Sequence, residues 1–285
     1  MLGNLRQPDL LAMLSKEKLK ELAKLKTKKG RKTQGKFLIE GLHLCEEMAN
    51  SNWETESVLF TSSFRELLGG KKLLQKFQRK NVKTIPVKNE VVKKLSDTVT
   101  PQGIIGVVKI KNFSLDKVWP KGFNIILALD AIRDPGNVGT LIRTADAFGI
   151  DGVMLSCDSA ELYNPKVVRS TMGSIFHLPI SDDVDLEKTI PGLKRWNFKI
   201  FGTDAKEGED LDKLDYFGPM GPAEKICLLI GSEAKGLNKK LLNLSDAIIR
   251  IPTYGKAESL NASVAGGILL YEITRRKHQK LNPGS

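Results

Sequence analysis

An alternation repeated along the chain narrows its fold more than any other feature: a short apolar run, a turn marked by glycine or proline, and then a helical pattern. Asn124 to Gly149 is the clearest case, where IILALD breaks at Asp-Pro-Gly-Asn and resumes as NVGTLIRTADAFG. Runs that are apolar on both faces need cover on both faces, and strands separated by helices pair mostly in parallel. The fold class expected is therefore α/β, with ligand sites at the carboxyl ends of the strands. The pattern continues as strand GVMLS, a helix from about Asn164 to Gly173, strand HLPIS, a helix near Asp185 to Trp196, strands FKIFGTD and KICLLIG, the loop SEAKGLN, strand AIIRIP, and a last helix from Ser259 to about Lys277.

A similar alternation occupies the first part of the chain. A helical pattern covers Lys16 to about Lys29, and KFLIEGLHLCEEMANS opens apolar and leads into an amphipathic helix. SVLFTSS, NVKTIPV and GIIGVVKI read as strands, with FRELLGGKKLLQKFQRK and NEVVKKLSDT as helices between them. Lys111 to Phe123, carrying Pro120 and Gly122, has the composition of a linker. Two domains are expected, residues 1–112 and 121–285.

Charge separates the two. Residues 1–120 hold 24 Lys and Arg against 12 Asp and Glu, and residues 121–285 hold 21 against 21, so the whole formal charge of +12 belongs to the first part. Lys16 to Lys36 alone carries ten basic against two acidic residues. A basic block of this density favours a polyphosphate, because each neutralised phosphate releases a counterion. A solvated helix face accounts for a lone charge run equally well; confinement to one half turns the reading toward RNA or DNA. Lys28, Lys29, Arg31, Lys32 and Lys36 are the candidate contacts. An anionic membrane suits the segment less, since Leu19, Leu22 and Leu25 make only a thin apolar stripe.

Several function classes fall away. Apolar runs long enough for a membrane span are absent and the start lacks a signal-peptide core, which predicts a soluble, cytoplasmic protein; the first 15 residues leave an organelle-targeting segment open. Cys45, Cys157 and Cys227 form no CxxC pair and read as small buried hydrophobes, and His43, His177 and His278 are scattered, so no metal site is expected. GRKTQGKF matches GxxxxGK, but Phe37 stands where a P-loop needs Ser or Thr, and no apolar strand precedes it. No GxGxxG is present either.

Three segments place an apolar strand before glycine and fixed polar residues: LDAIRDPGNVGTLIRTA, CLLIGSEAKGL and IRIPTYGKAESLNASVAGG. Glycine permits close backbone approach, and a helix starting after such a turn presents free N–H donors. In the third segment Ser259 is the N-cap candidate, and Ala262, Ser263, Ala265, Gly266 and Gly267 leave the following helix almost bare, so that a backbone or a flat ligand must lie against it.

Together these segments resemble the three motifs of the SpoU branch of the SPOUT methyltransferases. The resemblance rests on Asn137, Gly139 and Arg143 as N-x-G-x-x-x-R, on Gly231 to Leu237 as G-S-E-x-x-G-L, and on Ile251, Pro252, Ser259, Leu260 and Asn261 as I-P…S-L-N. It is strong from Phe123 to about Lys277 and looser before that, where FLIEGLHLCEEM looks like the entry to a small ribosomal-protein-like α/β domain that holds RNA. Thr253 departs from the methionine common at its position.

The resemblance implies a parallel sheet whose C-terminal segment forms a deep trefoil knot, a homodimer packed through the knotted region, and transfer of a methyl group from S-adenosylmethionine to the ribose 2′-oxygen of structured RNA. It implies that backbone near Gly231, Ile251 and Leu260, with Gly202 and Thr203 beside them, holds the cofactor. Arg143 would be essential, as electrostatic stabiliser or as proton acceptor; a guanidinium ordinarily keeps its proton. Glu233 would orient Arg143 or the substrate, Asn137 would fix the active loop, and Ser259 and Asn261 would hold the ribose or the adjacent loop. Ribosomal RNA is the preferred substrate, because a separate N-terminal domain suits a large folded target. Transfer RNA, a catalytically silent RNA-binding or ribosome-assembly factor, and a small-molecule methyltransferase are the alternatives.

Overall fold

The computed structural model describes residues 14–111, 113, 124–213 and 225–281. Two compact units divide between Lys111 and Asn112. Most of the linker expected at Lys111 to Phe123, and nearly all of the N-terminal segment considered for targeting, lie outside the described residues.

The first unit runs α1 (Lys16–Ala23), a 3-10 turn (Lys24–Lys26), α2 (Lys28–Gln34), β1 (Lys36–Glu40), α3 (Leu42–Asn50), β2 (Thr55–Phe60), α4 (Ser62–Glu66), α5 (Leu68–Arg79), β3 (Lys83–Pro86), α6 (Asn89–Leu95) and β4 (Ile104–Lys109). Its four-stranded sheet has the order β1-β4-β2-β3; β4 is antiparallel to both β1 and β2, and β2 is parallel to β3. Leu22 and Leu25 close one side of the core with Leu59, Val92, Leu95, Ile105 and Val107.

Three local outcomes differ from the sequence reading. The basic helix is interrupted at Thr27, which turns extended and accepts a hydrogen bond from Gly30 N through Oγ1 at 3.1 Å, starting a new helix as its N-cap. KFLIE, read only as a short apolar start before the helix that follows it, is a strand in its own right, because Phe37 and Ile39 are buried while their neighbours are only half covered. The helix expected across FRELLGGKKLLQKFQRK is cut at the extended Leu67.

The second unit comprises β5 (Ile125–Leu129), α7 (Pro135–Ala147), β6 (Gly152–Ser156), α8 (Pro165–Ser170), a 3-10 turn (Ser174–Phe176), β7 (Ile180–Val184), α9 (Leu186–Arg195), β8 (Phe198–Thr203), β9 (Glu209–Asp210), β10 (Lys225–Ile230), α10 (Lys239–Leu244), β11 (Ala247–Arg250) and α11 (Ala262–Leu281). The strand order is β7-β6-β5-β10-β8-β11-β9, and each described pairing is parallel. β5 and β6 are buried throughout, as their unbroken apolar sequence requires. One face of the sheet, with Ile126, Ala128, Cys227 and Leu229, packs against Leu186, Ile190 and Leu193 of α9 and Leu241 of α10.

The small residues of α11 have a cause inside the chain. A Cβ on Gly266 would stand 2.3 Å from Leu141 Cδ2 of α7 and 2.9 Å from Ile230 Cδ1, so the bare face is covered by α7 and the sheet. Cys45 and Cys227 are buried, and burial pushes both thiols up; Cys157, expected to be buried, is exposed. No helix among the described residues is long and apolar enough to cross a membrane.

α7 crosses α8 at Gly139, where an added Cβ would lie 2.4 Å from Ser170 Cβ and 2.7 Å from the Val167 carbonyl oxygen. Backbone cannot yield as a side-chain tip does. Gly139→Ala is expected to destabilise the second unit by about 1–3 kcal/mol, read as a lower urea midpoint, whereas Thr140→Ala on the exposed face should shift it by under about 0.5 kcal/mol.

Candidate active site

The carboxyl ends of β5, β8, β10 and β11 supply the loops of the site. After Ile230 the chain folds into a tight loop in which Ser232 N donates to Gly236 O at 3.1 Å and Gly236 N donates to Ser232 O at 2.8 Å. Both glycines are required: a Cβ on Gly231 would stand 2.2 Å from Gly236 C, and Gly236 has φ +67°. Glu233 is thereby presented near the tip. The far end of the loop is tied down where Asn238 N donates to Asp130 Oδ2 at 3.0 Å. Burial raises the Asp130 carboxyl above its usual range, while this hydrogen bond pulls the other way.

The second loop enters α7. Asp134 caps the helix, with Oδ1 accepting from Asn137 N at 2.9 Å ahead of Pro135 in the first turn. That hydrogen bond, with Lys166 nearby, holds the Asp134 carboxyl below the usual range. Asn137 is left half-buried, and both ends of its amide are used. Nδ2 donates to Glu233 Oε1, and Oδ1 accepts from Asn261 Nδ2 at 3.1 Å.

Asn261 carries the third connection. Its Oδ1 accepts from Ser263 N at 2.9 Å, Ser263 Oγ at 2.6 Å and Val264 N at 3.3 Å. Asn261, not Ser259, therefore caps the last helix, which starts at Ala262. Residues far apart in the chain, 137, 233 and 261, form one hydrogen-bonded line.

Beside that line is a cleft of about 370 Å³. Gly231, Ile251, Leu260, Thr203, Ser259 and Glu233 all line it. Thr203 is oriented by its Oγ1, which donates to Leu229 O at 2.9 Å. Gly202 does not line the cleft: it is buried, and a Cβ there would meet Ser245 Oγ at 2.6 Å, so its smallness serves helix packing. Sequence reasoning missed Asp204, Lys206 and Glu258 in the walls and Leu269 along its base helix, where Ala262 and Ala265, already marked as bare positions, also line the cleft. The Asp-Pro pair at the start of α7 could have identified Asp134 as a cap; nothing local marks Asp204 or Glu258.

Arg143 lies on the exposed face of α7 between the buried Ile142 and Ala145. Among the described residues its guanidinium makes no hydrogen bond or ion pair, and Glu233 is engaged by Asn137 instead of orienting it.

In the first unit Lys28, Lys29 and Lys32 are exposed. Arg31 is not: it is 3% exposed, and its Nη1 donates to Leu25 O at 2.9 Å, so it braces the helix junction and is withdrawn from the RNA contacts expected of it. Lys36 is half-buried and paired with Glu56, which also holds Lys18 at 3.1 Å.

A family model described as the SpoU rRNA Methylase family matches residues 124–271, more than half the chain. The chain belongs to that family. An MRM3-like substrate binding domain matches residues 16–106. The 23S rRNA (guanosine(2553)-2′-O)-methyltransferase RlmP of Bacillus subtilis is 33% identical over 90% of this chain and 96% of its own length. Among solved structures, the AdoMet-bound rRNA methyltransferase from Sinorhizobium meliloti has 29% identity and TM-score 0.79, covering 90% of this chain and 94% of that one. The SpoU methyltransferase AviRb of Streptomyces viridochromogenes, in complex with AdoMet, has 25% identity and TM-score 0.81 over 93% and 99%.

Asn261→Ala is expected to destabilise the second unit by about 1 kcal/mol through loss of the cap. Asn137→Ala should cost less, and the double variant should fall short of the sum, because either change already breaks the shared hydrogen bond. A urea-denaturation double-mutant cycle measures this, and strict additivity would refute the coupling.

Proposed function

We propose that this chain methylates the ribose 2′-oxygen of ribosomal RNA, with S-adenosylmethionine as donor and the basic first unit gripping the RNA. The observation that carries the reading is the Asn261–Asn137–Glu233 line beside a glycine-walled cleft, together with membership of the SpoU rRNA Methylase family. The cleft suits such a donor: its volume is in the range of small-molecule sites, and the Gly231–Gly236 backbone approach leaves space that side chains would fill. Thr203, Gly231, Ile251 and Leu260 would hold it. When bound, it supplies an activated methyl group on a sulfonium.

The chain's own tasks are alignment and charge control. A ribose hydroxyl is a poor nucleophile, so holding it in line and assisting loss of its proton lower the barrier. Arg143, exposed on α7, acts as the fixed positive charge that favours a developing alkoxide or grips the adjacent phosphate. Asn137 and Asn261 fix the loops, and Glu233 contributes a carboxylate at the rim of the cleft. Lys28, Lys29 and Lys32 bind RNA phosphate.

The deep trefoil knot, the homodimer and the cytoplasmic setting belong to the same proposal. What supports a knot is the course of the chain, which passes from β11 on the far side of β8 and β10 back to α11 against α7. What supports a dimer is the outer stripe of α11, where Val264, Ile268 and Tyr271 are 50%, 37% and 54% exposed at helical spacing.

Labelled methyl offered with unmodified total RNA should enter one alkali-resistant ribosomal position, and Arg143→Ala should lower kcat about a hundredfold or more. Label in transfer RNA would move the substrate; RNA binding without any label would leave a silent binding factor. Replacing Lys28, Lys29 and Lys32 by Ala should flatten the salt dependence of RNA affinity by roughly 2–3 in log–log slope while leaving S-adenosylmethionine affinity unchanged.

A further inference from the structure

The segment Asp204 to Lys213 leaves β8, lines the cleft with Asp204, Ala205 and Lys206, and returns along the sheet edge as the two-residue β9. Two parallel pairings, Ile249 with Glu209 and Arg250 with Asp210, are little to hold such a strap in register. Arg250 holds it further. Its Nε and Nη2 donate to Asp210 Oδ1 at 3.0 and 2.6 Å, its Nη1 donates to Lys206 O at 3.4 Å, and its own carbonyl accepts from Leu211 N at 3.0 Å. The inner end is shaped by Asp204, whose Oδ1 accepts from Lys206 N at 2.8 Å and Glu207 N at 2.9 Å. Beyond Asp210, Arg276 of α11 donates to Asp212 O at 2.6 Å. Arg250 is not itself among the residues lining the cleft, although Ile249 and Ile251 on either side are.

We propose that Arg250 is a positioning residue for the cofactor: by clamping Lys206 and Asp210 it sets the Asp204–Lys206 wall at the spacing that S-adenosylmethionine requires, without touching cofactor or RNA. The proposal rests on the cofactor reading above. Asp210 is held by two cations, Arg250 first and Lys213 at 3.1 Å, and its carboxyl lies below the usual range. The Arg250 side chain is part-exposed, and an ion pair of that kind adds little to global stability. Its consequence is local, in the stiffness of one wall.

The test uses the full chain as wild type, Arg250→Met, Arg250→Lys and Asp210→Asn, with titration of S-adenosylmethionine, thermal unfolding, and amide hydrogen exchange of residues 204–211. Arg250→Met should raise Kd for S-adenosylmethionine about tenfold and speed exchange in that segment, with Tm moved by no more than about 2 °C and RNA affinity unchanged. Arg250→Lys keeps the charge without the planar fork and should recover only part of the affinity. Asp210→Asn should weaken cofactor binding in the same direction. Cofactor affinity equal to wild type in Arg250→Met, or affinity lost in step with Tm without local exchange, would overturn the assignment. A wild-type chain that binds no S-adenosylmethionine overturns the proposed function and this proposal with it, a result recognisable before any variant is made.

Discussion

The site depends on how one side-chain amide is used. Asn137 offers a donor and an acceptor on opposite sides of a small planar group, and each meets a different segment: Glu233 from the loop after β10 and Asn261 from the start of α11. Each hydrogen bond alone adds little net stability, because water would replace it in the unfolded chain. Their value is geometric. An aspartate at 137 would lose the donor and face Glu233 with like charge, and an apolar residue would lose both contacts. Asn261 in turn spends its oxygen on the first N–H groups of α11, so the same line that joins the loops also sets where the last helix begins.

Around that line the walls are made by what the residues lack. The absence of side chains at Gly231 and Gly266 lets backbone approach backbone and lets α11 sink onto Leu141 and Ile230. A helix bare over its first turns reads in isolation as a face awaiting a partner; here the inner face is already covered by the chain itself, and the outer apolar stripe of Val264, Ile268 and Tyr271 is the one left exposed. Two surfaces of one helix thus have different causes. The first serves the packing of the second unit, and the second is left exposed.

The basic segment teaches the same distinction for charge. Lys28 and Lys32 are four residues apart and share one face of α2, exposed together with Lys29, while Arg31 lies on the face that turns inward and donates to the Leu25 carbonyl. Arginine suits that position because its long apolar stem can be buried while its guanidinium still finds an oxygen. A formal count of charges overstates the surface available to RNA, since Lys36 is likewise paired with Glu56.

The parallel α/β alternation was legible in the sequence, because strands covered on both faces must be apolar throughout. Asn137, Glu233 and Asn261 stood out only through the resemblance to the SpoU motifs, and the structure brings their side chains together. The sequence did not carry the break at Thr27, the strand at Lys36–Glu40, the cap at Asn261 in place of Ser259, the interior position of Arg31, or the packing role of Gly202. Three of these turn on a neighbour distant in the chain, the strand on β4, the cap on the approach of Asn137 and the glycine on Ser245, whereas the break at Thr27 and the inward turn of Arg31 are fixed by partners a few residues away, Gly30 and the Leu25 carbonyl. Periodicity and composition record that a face will be covered or a turn made. Which group does the covering is set by packing among elements, where one added methyl or one hydrogen bond across a hundred residues changes the answer.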